Sequence, residues 1–184
     1  ALAEFHEANG GVSRYAKFEH FVTIILPAYW PTLCLDDKDE LVGRLLSKYA
    51  EEVRLGLLSC EVASELRELR DATPEAIWMI VSGGDQDELR DIFEQRGLYY
   101  FFDGGIYGSP MDKSNIIGKL LSEGLIKKPA VILGDSQLDY QVAQEYNLDF
   151  LFVSDWTALK DWRSFCRENH VNTIRTPSHL LRQN

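Results

Sequence analysis

Residues 130–143, AVILGDSQLDYQVA, constrain the fold more than any other stretch, because an apolar run passes directly into two carboxylates four positions apart and then into a helical pattern. Val131, Ile132 and Leu133 suit a short strand covered on both faces, and Gly134 permits a sharp exit from it. Asp135 then stands at the strand tip. Leu138, Val142 and Tyr146 recur at helical spacing, which places Asp139 in the first helical turn, where the helix dipole favours an anion. Both acids can face one point above the carboxyl edge of a sheet, a natural seat for a hard divalent cation. A solvated turn with a capping Asp is the plainer reading of the same residues.

The surrounding pattern supplies the sheet. From residue 76 onward, strands alternate with helices, the sign of a parallel α/β architecture. Strands are expected over 76–81, 99–102, 130–133 and 150–153, and helices over 85–95, 112–123, 138–146 and 158–168. The tail from 172 reads as a short strand, a turn and a final helical turn. Everything before about residue 70 is helical in pattern. Phe18, Phe21, Val22 and Ile25 share one helical face, Ser13 is placed to cap it, and Pro27 and Pro31 are expected to end it. An acidic run at 36–39 suits the start of a helix reaching about residue 54, and Gly56 suggests a break. A further helix over 59–70 would put Val62, Ala63, Leu66 and Leu69 on one side, closed by Thr73 and Pro74.

Composition removes several classes of function. The net charge of −10 over 184 residues argues against a nucleic-acid partner, whose phosphates need clustered Lys and Arg. Cys34, Cys60 and Cys166 are odd in number, widely spaced and without CxxC company, so reduced, partly buried thiols are expected rather than a disulfide framework or a zinc site. No apolar run has membrane-spanning length, and the amino terminus has no basic region followed by a hydrophobic stretch. A cytoplasmic protein without a membrane partner is expected.

Two further sites share the geometry of the Asp135 turn. The segment AIWMIVSGG at 76–84 is a strand ending in a hydroxyl and two glycines, so Ser82 and nearby backbone N–H groups could hold a phosphate oxygen. A turn of this composition also ends many strands for steric reasons alone. Lys113 begins a helix whose core side carries Ile116, Ile117, Leu120 and Leu121. A cation there works against the helix dipole, which points to an anion that holds it, the alternative being a surface lysine.

In this order, Ser82, Lys113 and the Asp135/Asp139 pair resemble motifs two, three and four of the haloacid dehalogenase superfamily. VSGGDQDELRDIF, FDGGIYGSPMDKSNII and AVILGDSQLDYQVA look like the core of its phosphatase members, and ANGGVSRYAKFEHF looks like their helical cap. The resemblance implies a Rossmann-like parallel sheet over 58–184 with a helical cap over 1–57. It also implies that Ser82 and the Gly83 amide bind the phosphoryl group of a small phosphorylated metabolite and that Lys113 neutralises charge. Asp135 would ligate Mg²⁺ with Asp139 beside it. Arg14 resembles the cap arginine that some sugar-phosphate members direct at the substrate; a helix-surface arginine is the alternative.

The family attacks phosphorus with an Asp of a DxDx(T/V) motif on its first strand, and no such motif occurs in this sequence. The acidic residues Asp36, Asp37 and Asp39 lack a preceding apolar strand. A phosphoryl transfer that runs through a carboxyl intermediate needs that nucleophile, so this chain is expected to be a very poor catalyst. A Mg²⁺ site short of carboxylates is expected to be weak. In the family the missing strand lies between the Ser82 and Asp135 strands, so its absence would leave ladder groups unpaired. A rearranged sheet, a second chain such as a homodimer partner, or upstream residues would fill the gap. Three functions remain in view: a Mg²⁺-dependent phosphomonoester hydrolase, a non-catalytic binding domain of the same fold, and a phosphosugar mutase. For a partner contact, Tyr29, Trp30 and Leu33 are the candidate apolar residues.

Overall fold

A computed structural model describes residues 4–5, 12–31 and 38–182. Leu33, Cys34, Asp36 and Asp37, and Gly10 and Gly11 of the cap-like segment, lie outside them. The helical region opens with α1 (Arg14–His20), capped as expected by Ser13, whose hydroxyl accepts from the Ala16 N–H at 3.3 Å. The chain then continues through a π-helical turn (Phe21–Ile25) into α2 (Leu26–Tyr29), so Pro27 does not end the helix. The Leu26 N–H bonds back to the Phe21 carbonyl, five residues earlier. This wider turn accommodates a ring that has no N–H to offer. Val22 is buried, whereas Tyr29 and Trp30 beyond it are exposed.

α3 (Lys38–Ser59) runs through Gly56 without a break, and the expected boundary between residues 57 and 58 falls inside it. Its last turn is held by Arg96, whose guanidinium donates to the Leu57 carbonyl at 2.7 Å. The next helix is shorter than expected: α4 (Leu66–Ala72) buries Leu69, while Val62 and Ala63 lie ahead of it in irregular chain. Thr73 caps its end, as the sequence indicated.

Five parallel strands follow: β1 (Ile80–Asp85), β2 (Ile106–Ser109), β3 (Val131–Gly134), β4 (Asp149–Val153) and β5 (Asn172–Ile174). Between them lie α5 (Gln86–Gln95), α6 (Lys113–Ser122), α7 (Gln137–Glu145) and α8 (Trp162–Glu168), and a 3₁₀ turn (Pro177–Arg182) closes the described chain. Two strand expectations need correction. Residues 99–102 are not a strand, because Gly97 (φ +65°) leads into a 3₁₀ turn at Tyr99–Phe101. The aromatic residues that suggested a strand are used differently: Phe102 packs edge-on against Phe93 and tilts towards Trp78. The pairing strand comes later, as β2. The first strand starts at Ile80 rather than residue 76 and runs through Ser82, Gly83 and Gly84 to Asp85, so Ser82 lies within the strand and not in a turn after it.

The sheet is split. β2 pairs with β1, and β3 pairs with β4 and then β5, as two separate sheets among the described residues. The break falls between the Ser82 strand and the Asp135 strand, where the family resemblance puts the missing strand, and no strand among the described residues closes it. Ile117, Val142, Ala143 and Leu148 form a buried cluster under α6 and α7, joined by Val81 from β1 and Ile132 from β3. Val131 and Leu133, however, are 50% and 38% exposed. The expectation that β3 is covered on both faces therefore fails, because side chains alternate and only the Ile132 side meets the helices.

Candidate active site

The carboxyl ends of β2 and β3 meet through an ion pair. Lys113, first residue of α6, is bonded through Nζ to Asp139 Oδ1, and both side chains are nearly buried. This is the anion that the position of Lys113 demanded. α6 is capped independently by Asp112, whose Oδ1 accepts from the Asn115 N–H at 2.8 Å. Asp139 also closes a capping box at the start of α7: the Ser136 hydroxyl accepts from the Asp139 N–H, and Asp139 Oδ2 accepts from the Ser136 N–H at 3.2 Å and its hydroxyl at 2.7 Å. A Cβ on Gly134 would run into the Asp139 side chain, so the strand exit must be glycine for the helix to approach this closely.

Asp135 stands beside the pair. Burial and the negative charge of Asp139 raise its carboxyl pKa above the ordinary value, while the Lys113 ammonium pulls it down. Its carbonyl accepts from the Thr157 hydroxyl at 2.6 Å, which ties the loop after β4 to the strand tip. Lys113, Asp135 and Asp139 therefore act as one electrostatic cluster. Both oxygens of Asp139 are engaged, and Asp135 is left as the carboxylate open to a ligand.

The other candidates are held differently. Ser82 Oγ accepts from the Gly84 N–H at 3.0 Å, and the Gly83 carbonyl accepts from the buried Ser109 hydroxyl at 2.8 Å. Gly108 brings β2 against this segment, since a Cβ there would collide with the Gly84 carbonyl oxygen. Arg14 is not directed at the Asp135 cluster. It is ion-paired with Glu88 in the first turn of α5, and its guanidinium lies over the Tyr49 ring at 5.2 Å. Its neighbour Tyr15 donates its hydroxyl to Asp85 Oδ2 at 2.7 Å. Sequence reasoning missed Ser136, Glu88 and Asp85. The Ser-x-x-Asp spacing at 136–139 was a readable signal for the first, whereas nothing local pairs residues 14 and 88.

No described helix is long and apolar enough to cross a membrane. Of the two cysteines described, Cys166 is buried and Cys60 exposed, and both are free thiols.

Comparison at the sequence level finds no matching family profile and no matching curated protein. Comparison of folds is informative. A haloacid dehalogenase-like hydrolase from Streptococcus pneumoniae superimposes with a TM-score of 0.62 at 21% identity, over 91% of this chain and 79% of that one. A haloacid dehalogenase-superfamily hydrolase from Ehrlichia chaffeensis gives 0.50 at 15% identity, over 94% and 87%. The chain is an α/β protein with the haloacid dehalogenase fold.

The resemblance implies Mg²⁺, and the donor set can be tested against it. A hard cation exchanges its waters for several carboxylate, carbonyl or phosphate oxygens. The described residues contain no group of three acidic, His or Cys side chains able to hold a metal. Asp139 is already bonded to Lys113 and Ser136, which leaves Asp135 alone. These residues do not by themselves fit a tightly held Mg²⁺.

Proposed function

We propose that the chain is a phosphoryl-binding protein derived from the phosphomonoester hydrolases of its fold, that it takes a small phosphorylated metabolite, and that it is a very poor catalyst by itself. The observation that carries this reading is the Lys113–Asp139 pair beside Asp135, a cation fixed at the carboxyl edge of a parallel sheet. In this reading the Ser82 hydroxyl and the Gly83 amide donate to phosphoryl oxygens, and Lys113 supplies the positive charge that an oxyanion needs. Asp139 sets the position of Lys113 rather than ligating metal. Arg14 reaches a substrate only after exchanging Glu88 for it. Acidic composition fits a cytoplasmic setting and disfavours nucleic acid.

A purely binding role is favoured by one specific feature: Asp139, the acid bonded to Lys113, has both oxygens engaged by Lys113 and Ser136 and is not free to attack phosphorus. Phosphate release from an aryl phosphate, with and without Mg²⁺, separates the readings. Turnover near background, together with binding of inorganic phosphate weakened about tenfold in Lys113→Met, is the expected result. Turnover abolished by Asp135→Ala would instead mean a complete catalytic site. Absence of any phosphate binding would overturn the proposal.

A further inference from the structure

β2 pairs with β1 alone, so its outer edge has no ladder partner among the described residues. The Gly105 carbonyl accepts from the Ile80 N–H at 3.0 Å and therefore faces β1; backbone groups alternate along a strand, which turns the Ile106 carbonyl outward. Arg90 of α5 takes that carbonyl, its Nε donating at 2.9 Å. One nitrogen is thus spent on the strand, and the guanidinium is held at the edge with its two Nη groups bonded to no described residue. No described carboxylate pairs with it, in a chain that carries 29 Asp and Glu against 19 Lys and Arg.

α5 and α6 both pack on β1 and β2, and beside the edge of β2 they line a cavity of about 320 Å³. Arg90 lines it from α5. Ile116, Lys119 and Leu120 line it from α6 at the i, i+3, i+4 spacing of one helical face, and Met111 lines it from the loop after β2. Ile116 and Leu120 are buried, whereas Met111 is exposed. Lys119 is a weaker anchor than Arg90, because its ammonium lies 3.9 Å from Glu123, a further lining residue, and both side chains are open to solvent. Lys113 and Asp139 do not line the cavity, so the site is separate from their ion pair and independent of the phosphate reading.

Ligand sites of this size combine an apolar lining with a few placed polar groups. A fixed guanidinium with both Nη groups open matches the two oxygens of a carboxylate in a bidentate pair. A phosphate dianion suits the site less, because its second charge would face the Glu123 carboxylate beside Lys119. We propose that the cleft beside β2 binds a small monocarboxylate with a hydrocarbon body, its two oxygens on the Nη groups of Arg90 and its apolar part against Ile116, Leu120 and Met111.

Methyl and arginine side-chain NMR of the whole 184-residue protein, titrated with hexanoate, tests it. The expected result is saturable shifts of the Arg90 side chain and of the Ile116, Leu120 and Met111 methyls together, with acetate and 1-hexanol each binding about tenfold or more weakly. Arg90→Gln and Met111→Glu should each weaken hexanoate binding about tenfold or more. Met111 is exposed and lies outside the helices, so its variant remains informative if loss of the Ile106 contact unfolds the other. Shifts that do not saturate by about 10 mM hexanoate, inorganic phosphate that binds as tightly as hexanoate, or unchanged affinity in Met111→Glu each overturn the proposal. Shifts of the same residues when the free protein is concentrated show that a second copy covers the cleft, which also overturns it.

Discussion

Asp139 performs two tasks with one side chain, and each has a measurable consequence. Its Oδ1 holds Lys113 and its Oδ2 holds Ser136, so Asp139→Ala removes the capping box and leaves a nearly buried ammonium without its partner. A loss of about 2–4 kcal/mol in urea unfolding is expected. The conservative Asp139→Asn tests the electrostatics: with the neighbouring charge gone, the carboxyl pKa of Asp135 falls toward the ordinary range, whereas Lys113→Met raises it further. Carboxyl carbon shifts of Asp135 followed through a pH titration give both directions, and movement of the same sign in the two variants would refute the cluster. The sequence placed Asp135 and Asp139 correctly at the strand tip and first helical turn. It could not divide their labour, because the cation that engages Asp139 comes from a residue on a different helix, and only folding brings the two together.

At the scale of elements, periodicity was legible and punctuation was not. The strands at β3 and β4 and the helices α5, α6 and α7 fall within a few residues of their patterns, because each buries one regular face. Pro27 and Gly56 read as stops and are not, since a π turn relieves the first and the exposed α3 tolerates the second. Gly43 and Gly56 meet nothing within 4 Å of an added Cβ, and both lie in helical backbone. Alanine at either position is therefore expected to stabilise the protein by about 0.5–1 kcal/mol through reduced unfolded-state entropy, read as a higher urea midpoint. Gly108→Ala should do the reverse, by about 2 kcal/mol or more, because its Cβ would meet the backbone carbonyl of Gly84 and force β2 away from β1. The aromatic run near residue 100 misled for a similar reason: its composition suits a strand, but Gly97 turns the chain first.

Across the whole molecule, the helical region is joined to the α/β sheet by polar contacts at the first turn of α5. α1 packs on α3 and touches β1, and α3 packs on α5. Arg14–Glu88 is nearly buried, at 9% and 12% side-chain exposure, whereas Arg54–Asp91 is far more open and contributes little. Tyr15 completes the contact through Asp85, which also caps α5 by accepting from the Asp87 and Glu88 N–H groups. Burial opposes the charge on Asp85, but the Tyr15 hydroxyl, the Glu88 amide, Arg14 and the Asp87 amide outweigh it and hold the carboxyl below its ordinary value. A carboxyl with a lowered pKa in the fold stabilises it fully above the unfolded value, near 4, and loses that contribution as pH falls through the folded value. Tyr15→Phe deletes one of the groups that favour the charged form. The variant should therefore be less stable than the parent by about 1 kcal/mol at pH 7, with the gap narrowing in acid, as the pH falls below the unfolded carboxyl value and Asp85 takes up its proton. Urea midpoints of the two proteins at pH 7 and in acid measure this directly. A gap that stays constant would mean that Tyr15 holds α1 by packing alone, and that the contact between the helical region and the sheet does not depend on the charge of Asp85.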